Sequence, residues 1–277
     1  MTNVIKHIKS ELSALYNQNE VESFVSLLLY KIGKIDRVQR LISDNIAFTH
    51  EQMILLNDAI SRLKKYEPIQ YILGKTEFYG LTIKTDRRAL IPRPETEELV
   101  DWILHEYPKA QTVLDICTGS GCIAIGLAKQ LSTAKVDAID ISCNAIDLAK
   151  ENANINKAPI DFYQADILST DSLSQKYDII VSNPPYITIS EKTDMMPNVL
   201  DYEPDLALFV DNENPIVFYK KIADLATTYL KEGGMLFFEI NRKFGNEIVS
   251  LLACKGFRDI VLKKDISGND RFIKCSI

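Results

Sequence analysis

The chain has 277 residues, of which 46% are hydrophobic and 25% charged, the mix of an ordinary globular protein. Its 32 Lys and Arg against 38 Asp and Glu give a net charge of −6, which argues against non-specific binding to DNA or to a membrane surface. No apolar run approaches the roughly 20 residues that span a bilayer, and the N-terminus lacks the apolar core of a signal peptide. The five cysteines include no Cys-x-x-Cys pair, so we expect a reduced, cytoplasmic protein with no metal site.

The N-terminal quarter has the pattern of helices. Between Val4 and Tyr71 apolar residues recur at helical spacing, as at Val21, Val25 and Leu28. This predicts a small helical bundle over residues 1–73.

Residues 74–94 have a strand-like pattern, unlike the helical pattern of residues 1–73. Two β-prone runs, Phe78–Ile83 and Ala89–Ile91, flank the polar segment Lys84–Arg88. They predict a β-hairpin linker, with an irregular linker as the alternative on composition alone.

From Glu95 to the end, residues 95–277, strand-like runs alternate with helical stretches such as Ile123–Leu131 and Cys143–Asn156. The predicted strands are Thr112–Ile116, Val136–Ile139, Ile160–Tyr163, Tyr177–Val181, Met235–Ile240, Ile260–Lys263 and Phe272–Ser276. Alternation at this spacing predicts an α/β fold with a doubly wound, mostly parallel sheet. The last two strands follow each other closely and are expected to add an antiparallel edge.

The turn after the first strand of this sheet is rich in small residues. Gly119-x-Gly121-x-x-Ala124 satisfies a loose dinucleotide-binding pattern. Asp115 before it disfavours a pyrophosphate, because a carboxylate repels phosphate, and suits a ligand with a positive amino group.

Two further carboxylates follow neighbouring strands. Asp140 ends the second strand, where a carboxylate can hold two ribose hydroxyls, and Asp166 follows the third, where it can accept from an adenine amine. An amino group, a ribose and an adenine together describe S-adenosylmethionine. The alternative, that each Asp only caps a helix or turn, weakens when three such residues all lie at strand ends.

The most specific motif is Asn183-Pro184-Pro185-Tyr186, directly after the fourth strand. An amide or aromatic amine nitrogen is a poor nucleophile because its lone pair is delocalised. The Asn183 side-chain oxygen and the Pro184 carbonyl can accept from its N–H groups and orient it, while two prolines carry no competing N–H. Tyr186 can stack on a flat target group. A simple Asn-Pro turn is the alternative interpretation.

Nearly the whole chain resembles the release factor glutamine methyltransferases (PrmC/HemK). The resemblance rests on segments spread along the sequence: Pro68–Gly74, Phe78–Leu81, Leu90–Glu97, Thr118–Ile125, Asp140–Ser142, Ile180–Ile187, Glu203-Pro204 and Asp270-Arg271. It implies methyl transfer from S-adenosylmethionine to the glutamine side-chain nitrogen in the Gly-Gly-Gln motif of class-1 peptide chain release factors. It also implies that the helical part docks the release factor. From the net charge we expect no nucleic acid or membrane partner.

The resemblance also implies the site residues. The catalytic residues implied are Asn183, Pro184 and Tyr186. Together with Pro185 they form a clamp, Asn183–Tyr186, around the substrate glutamine. The cofactor-binding residues implied are Cys117, Thr118, Gly119, Ser120, Gly121, Asp140, Asp166, Leu168 and Asn183. Apart from the resemblance, Arg93 and Glu95 either position the methionine end of the cofactor or form a local ion pair and a favourable charge near a helix N-terminus.

Three residues depart from the family pattern. Cys117 replaces a usual Gly, where a positive φ would be strained. Leu168 stands where an aromatic residue can flank the adenine. Asn241 also replaces a Gly, with little expected effect because Asn tolerates left-handed conformations.

Three other functional classes remain as rivals. An adenine-N6 DNA methyltransferase would share Asn183–Tyr186 but should add a basic recognition region, and the first 75 residues carry only 10 basic against 8 acidic side chains. A nicotinamide dehydrogenase leaves Asn183–Tyr186 unexplained. A non-catalytic relative would be expected to have a damaged clamp.

Overall fold

The computed structural model describes residues 3–42 and 46–277. It contains helices α1 (Asn3–Leu12), α2 (Gln18–Lys31), α3 (Arg37–Ile42), α4 (His50–Leu63), α5 (Ile69–Leu73), α6 (Pro94–Glu106), α7 (Cys122–Gln130), α8 (Cys143–Asn156), α9 (Pro197–Leu200), α10 (Asp205–Leu208), α11 (Val217–Tyr229) and α12 (Gly245–Cys254). Its strands are β1 (Lys75–Phe78), β2 (Leu81–Lys84), β3 (Thr112–Ile116), β4 (Lys135–Asp140), β5 (Ile160–Gln164), β6 (Tyr177–Ser182), β7 (Ile187–Thr188), β8 (Phe209–Val210), β9 (Leu230–Glu239), β10 (Arg258–Lys264) and β11 (Asp270–Ser276). Within these described residues, no helix has the length and apolar character needed to cross a membrane.

The chain forms two compact units. One comprises Met1–Gly74 with Met196–Tyr202, and the other comprises Lys75–Met195 with Glu203–Ile277. The first unit is helical, as the spacing of its apolar residues predicts. Its core includes Ile8, Leu28 and Leu56, all fully buried.

Local signals set the helix boundaries of the first unit. The Asn17 side chain caps α2 by accepting from the backbone N–H of Glu20. Thr49 and Gln52 form a reciprocal capping box at the start of α4. Gly74 ends α5 in the left-handed conformation, with φ +69°.

The hairpin in the linker differs from its prediction in position. Strands β1 and β2 pair antiparallel around Tyr79 and Gly80, whose φ angles are +51° and +72°. Two successive residues with positive φ match the twist of a tight hairpin, so the turn falls inside the predicted first strand. The predicted second strand, Ala89–Ile91, is wrong: these residues form no strand and instead line the cleft described below.

The main sheet confirms the predicted α/β architecture. Its strand order is β10-β11-β9-β6-β3-β4-β5; β11 runs antiparallel to both neighbours, and the other pairs are parallel. Alternate residues of each strand face opposite sides. Val113 packs with α6 and α7 on one face, whereas Leu114 packs with α11 and α12 on the other.

The strand order brings three predicted site segments together. β3 lies between β4 and β6, with Ile116 paired to Ile139 on one side and to Ser182 on the other. The chain winds outward from β3 in one direction and returns from β6 in the other, which makes this a topological switch point. Ligands of such sheets bind outside the carboxyl ends of these strands.

Candidate functional site

A cleft opens at this switch point. The space in and in front of it, including the solvent at its mouth, is about 1200 Å³. The predicted cofactor residues that line it are Cys117, Thr118, Gly119, Ser120, Asp140, Asp166, Leu168 and Asn183. Pro185 also lines it, whereas Gly121, Pro184 and Tyr186 do not.

The loop after β3 leaves room for a ligand at one glycine and packs tightly at the other. A Cβ added to Gly119, where φ is +55°, would meet no atom within 4 Å. A Cβ on Gly121 would lie 3.0 Å from the Cβ of Ala149. Gly119 therefore leaves open space above the loop, and Gly121 allows the start of α7 to pack closely against α8.

Cys117 adopts the left-handed backbone conformation, which is strained for a residue other than glycine, as expected from the sequence. Its φ is +62°, which costs a non-glycine residue roughly 1 kcal/mol or more. Burial raises the pKa of its thiol, and Asp140 and Asp115 raise that pKa further. The thiol is thus a neutral wall of the cleft at physiological pH.

Asp140 fastens the β3 loop to the end of β4. Its Oδ2 accepts from the Gly119 N–H at 2.8 Å, and its Oδ1 accepts from the Ser142 N–H at 2.9 Å. Burial raises its pKa, against the opposing effect of these hydrogen bonds. A carboxylate has about four acceptor positions, so two backbone bonds leave capacity for hydroxyl donors from a ligand.

Asp166 organises the turn after β5. Its Oδ1 accepts from the Leu168 N–H at 2.9 Å and its Oδ2 from the Ser169 hydroxyl at 3.1 Å. Leu168 is 38% exposed and also lines the cleft. The turn therefore presents a carboxylate and an apolar side chain to the same cleft.

Asp115 lies within β3 and does not line the cleft. Its Oδ2 accepts from the Thr118 hydroxyl at 2.6 Å and from the Ala124 N–H at 3.2 Å. Its Oδ1 is buried and has no partner in residues 3–42 and 46–277. Burial raises its pKa to about 7, only partly opposed by its hydrogen bonds to Thr118 and Ala124.

Stability should therefore depend on pH through Asp115. The raised pKa means that the native state keeps a proton that the unfolded chain has lost, so this contribution is full below about pH 4 and disappears as pH rises through 7. From pH 5 to pH 8 the free energy of unfolding should fall by on the order of 2 kcal/mol more in the wild type than in Asp115→Asn. Chemical denaturation of both proteins measures the difference; equal slopes would contradict the assignment.

The loop Asn183–Tyr186 follows β6 directly. The Ser182 hydroxyl donates to the Ile116 carbonyl at 2.7 Å and holds the entry to the loop. The Asn183 side chain lines the cleft and makes no hydrogen bond to any residue that the structure describes. A free carboxamide at the cleft is available to bind a ligand.

Tyr186 points its hydroxyl into the protein. It donates to Glu239 Oε1 at 3.2 Å, and the Thr96 hydroxyl donates to Glu239 Oε2 at 2.8 Å. Burial raises the pKa of Glu239, with Arg271 and the two hydroxyl donors opposing the shift. Glu239 thus connects the end of the loop to Thr96, a residue of α6 that lines the cleft.

Arg93 forms an ion pair, but with Glu203 and not with Glu95. Glu203 is 4% exposed; its Oε1 accepts from the Arg93 guanidinium at 2.6 Å and its Oε2 from the Ile91 N–H at 3.1 Å. Glu95 lies in the first turn of α6, where a negative charge favours the helix N-terminus. Glu203 therefore holds Ala89–Arg93 along one wall of the cleft.

Comparison with known proteins identifies the family. The model described as PrmC N-terminal domain matches residues 3–74, and the model described as Methyltransferase small domain matches residues 95–201. A release factor glutamine methyltransferase of Flavobacterium psychrophilum is 46% identical over 95% of this chain and 94% of its own length. The chain belongs to the release factor glutamine methyltransferase family.

Further comparisons agree with membership of this family. The release factor glutamine methyltransferase of Bacteroides thetaiotaomicron is 43% identical over 99% of both chains. Among solved structures, a methyltransferase from Pyrococcus furiosus matches with a TM-score of 0.53 at 18% identity, over 83% of this chain and 98% of that one. The relatives confirm the resemblance seen in the sequence, and the solved structure confirms the methyltransferase fold.

Several residues of the site are not predicted by the sequence pattern. Phe218 and Leu206 line the cleft, and Thr96 and Glu239 support it. The sequence did contain one indication of Glu239. It is a carboxylate inside the apolar run Met235–Ile240, and a buried carboxylate needs a partner. Leu206 on α10 and Phe218 on α11 are ordinary apolar residues, and nothing in the sequence indicates that they line a cleft.

Proposed function

We propose that this chain transfers a methyl group from S-adenosylmethionine to the side-chain nitrogen of the glutamine in the Gly-Gly-Gln motif of class-1 release factors. The observation that carries the proposal is the unbonded Asn183 carboxamide at the cleft, in a chain of this family. Such a substrate works on ribosomes, so the enzyme would act in the cytoplasm.

The residues around the cleft fit the methyl donor. Asp140 has acceptor capacity for ribose hydroxyls, Asp166 for the adenine amine, and Gly119 leaves space for close approach. When bound, S-adenosylmethionine supplies a methyl group activated by its sulfonium charge, so the proposal includes no metal ion. Thr118 and Ser120 complete the cofactor wall on the β3 loop.

The loop Asn183–Tyr186 would bind and orient the glutamine. The Asn183 oxygen and the Pro184 carbonyl accept from the two N–H groups of the substrate amide, which turns the nitrogen lone pair out of conjugation and toward the cleft. Pro185 forms part of the cleft wall, and Tyr186 anchors the loop through Glu239. These residues act by positioning, without a general base in the transfer step.

The helical domain, residues 1–73, would dock the release factor, with residues 74–94 as the linker and residues 95–277 as the methyltransferase domain. Four apolar side chains of α3 and α4 are between 56% and 74% exposed: Val38, Ile42, Ile54 and Leu55. Exposed apolar side chains suit a protein partner better than a polyanion.

Charges on α4 should therefore weaken docking without touching the chemistry. The pair Ile54→Glu and Leu55→Glu should raise KM for a whole release factor about 10-fold, and KM for a free Gly-Gly-Gln peptide less than about 2-fold. Ile155→Glu, at a similarly exposed position of α8, is the matched control and should change neither. Equal effects on protein and peptide would show that α4 is not part of the docking surface.

Methyl transfer assayed on two substrates in parallel tests the function. Labelled S-adenosylmethionine is supplied with a class-1 release factor in one reaction and adenine-rich duplex DNA in the other. We expect label on the release factor alone. Label on DNA alone would move the substrate to adenine, which family membership does not favour.

A further inference from the structure

Asn241 follows the end of β9 and is 6% exposed. Its φ lies outside the left-handed region, so conformational tolerance does not explain the residue. Its Nδ2 donates to the Tyr186 carbonyl and to Glu191 Oε2, both at 3.0 Å, and its Oδ1 accepts from the Lys243 N–H at 3.0 Å. The carboxamide thus makes three hydrogen bonds, two of them to the segment that follows β6.

The loop Asn183–Tyr186 depends on its ends for its position. Pro184 and Pro185 have no N–H to donate, and the Asn183 side chain is unbonded within the described part of the chain. Ser182 holds the entry through the Ile116 carbonyl. The exit is held at Tyr186, by Glu239 on the hydroxyl and by Asn241 on the carbonyl.

The hydrogen bond from Asn241 to Glu191 also helps to hold the segment that follows Tyr186. Its Oε2 accepts from both the N–H and the hydroxyl of Thr188, and its Oε1 pairs with Lys243 Nζ at 2.8 Å. The side chain of Asn241 lies between this network and the Tyr186 carbonyl. Removing its N–H groups would release the exit of the loop from the end of β9.

We propose that Asn241 is a positioning residue for methyl transfer, which acts by holding the Tyr186 carbonyl and thereby the place of the Asn183 carboxamide. This inference rests on the proposed function of the loop. A displacement of about 1 Å at a residue that orients a reacting group can cost up to roughly 100-fold in rate. Since Asn241 does not line the cleft, its loss should affect the transfer step more than binding of the methyl donor.

Asn241→Asp is the sharpest test, because it keeps the size and the Oδ1 acceptor while replacing the donor with an oxygen. That oxygen would face the Tyr186 carbonyl and the Glu191 carboxylate. We expect kcat to fall about 10- to 100-fold, with the Kd for S-adenosylmethionine changed by less than about 3-fold. Thermal unfolding monitors the integrity of the fold.

Asn152→Asp is the matched control. Asn152 is fully buried, its Nδ2 donates to the carbonyls of Lys84 and Ser120, and its Oδ1 accepts from the Lys84 N–H. Like Asn241, it donates two hydrogen bonds through Nδ2 and accepts one through Oδ1, but it supports the loop after β3. Its replacement should therefore raise the Kd for S-adenosylmethionine more than it lowers kcat at saturating donor, the reverse of the pattern expected for Asn241→Asp.

Asn241→Ala removes the same bonds without adding a charge and replaces the Asp variant if that one is unfolded. A folded variant with kcat within 2-fold of wild type, or with kcat and donor affinity lost in equal measure, overturns the inference. Failure of the wild type itself to methylate a release factor would instead overturn the proposed function.

Discussion

Replacing Asn183 with alanine should lower kcat for release factor methylation about 100- to 1000-fold. The variant removes the acceptor that is expected to orient the substrate amide, and the loss of one such preorganised polar contact typically has this magnitude. The Asn183 side chain makes no hydrogen bond within the described part of the chain, and only the side chain is changed, so little stability should be lost. The Kd for S-adenosylmethionine should rise only modestly, since most of the residues expected to hold the donor remain.

Single-turnover kinetics with saturating donor, together with calorimetric titration of S-adenosylmethionine, separate the two effects. Asn156→Ala is a suitable control, because Asn156 bonds the Thr82 carbonyl and does not line the cleft. Near-normal turnover in Asn183→Ala would refute the proposed clamp.

Replacing Asp140 with alanine should have the opposite effect: it should weaken binding of S-adenosylmethionine and leave kcat nearly unchanged. The variant removes the acceptor for the Gly119 and Ser142 N–H groups and the proposed acceptor for the ribose. Loss of a charged hydrogen-bonding partner costs roughly 2 to 3 kcal/mol, so the Kd for S-adenosylmethionine should rise about 30-fold or more. At saturating donor, kcat should stay within a few-fold of wild type.

Asp137→Ala controls for the loss of a carboxylate from the same strand. Asp137 is fully buried and accepts from the Tyr177 hydroxyl at 2.7 Å, but it does not line the cleft. Its replacement should lower stability and leave donor affinity unchanged. If Asp140→Ala bound the donor as well as Asp137→Ala, Asp140 would have no part in the donor site.

The sheet was predictable because its strands are short apolar runs separated by helical stretches. The carboxyl ends of β3, β4 and β6 followed from that alternation, and with them the proximity of the Cys117 loop, Asp140 and Asn183. The hairpin was harder, since the sequence Tyr79-Gly80 lies inside a β-prone run and only the backbone conformation reveals a turn there.

The hydrogen bonds by which Glu203 and Asn241 hold the site could not be predicted from the order of strands and helices along the chain. Glu203 contacts a segment more than 100 residues earlier, and Asn241 bonds a carbonyl 55 residues away. Such pairings depend on side-chain geometry that periodicity does not encode. The sequence did single out Asn241, but as a tolerant backbone position; its carboxamide bonds explain the residue instead.

Locating the methyl group on the product tests the proposed function most directly. A class-1 release factor is incubated with the enzyme and S-adenosylmethionine, digested, and sequenced by tandem mass spectrometry. We expect one added methyl group, on the side-chain nitrogen of the Gly-Gly-Gln glutamine, and none on a release factor in which that glutamine is replaced by alanine. A methyl group on any other residue, with that glutamine unmodified, would contradict it.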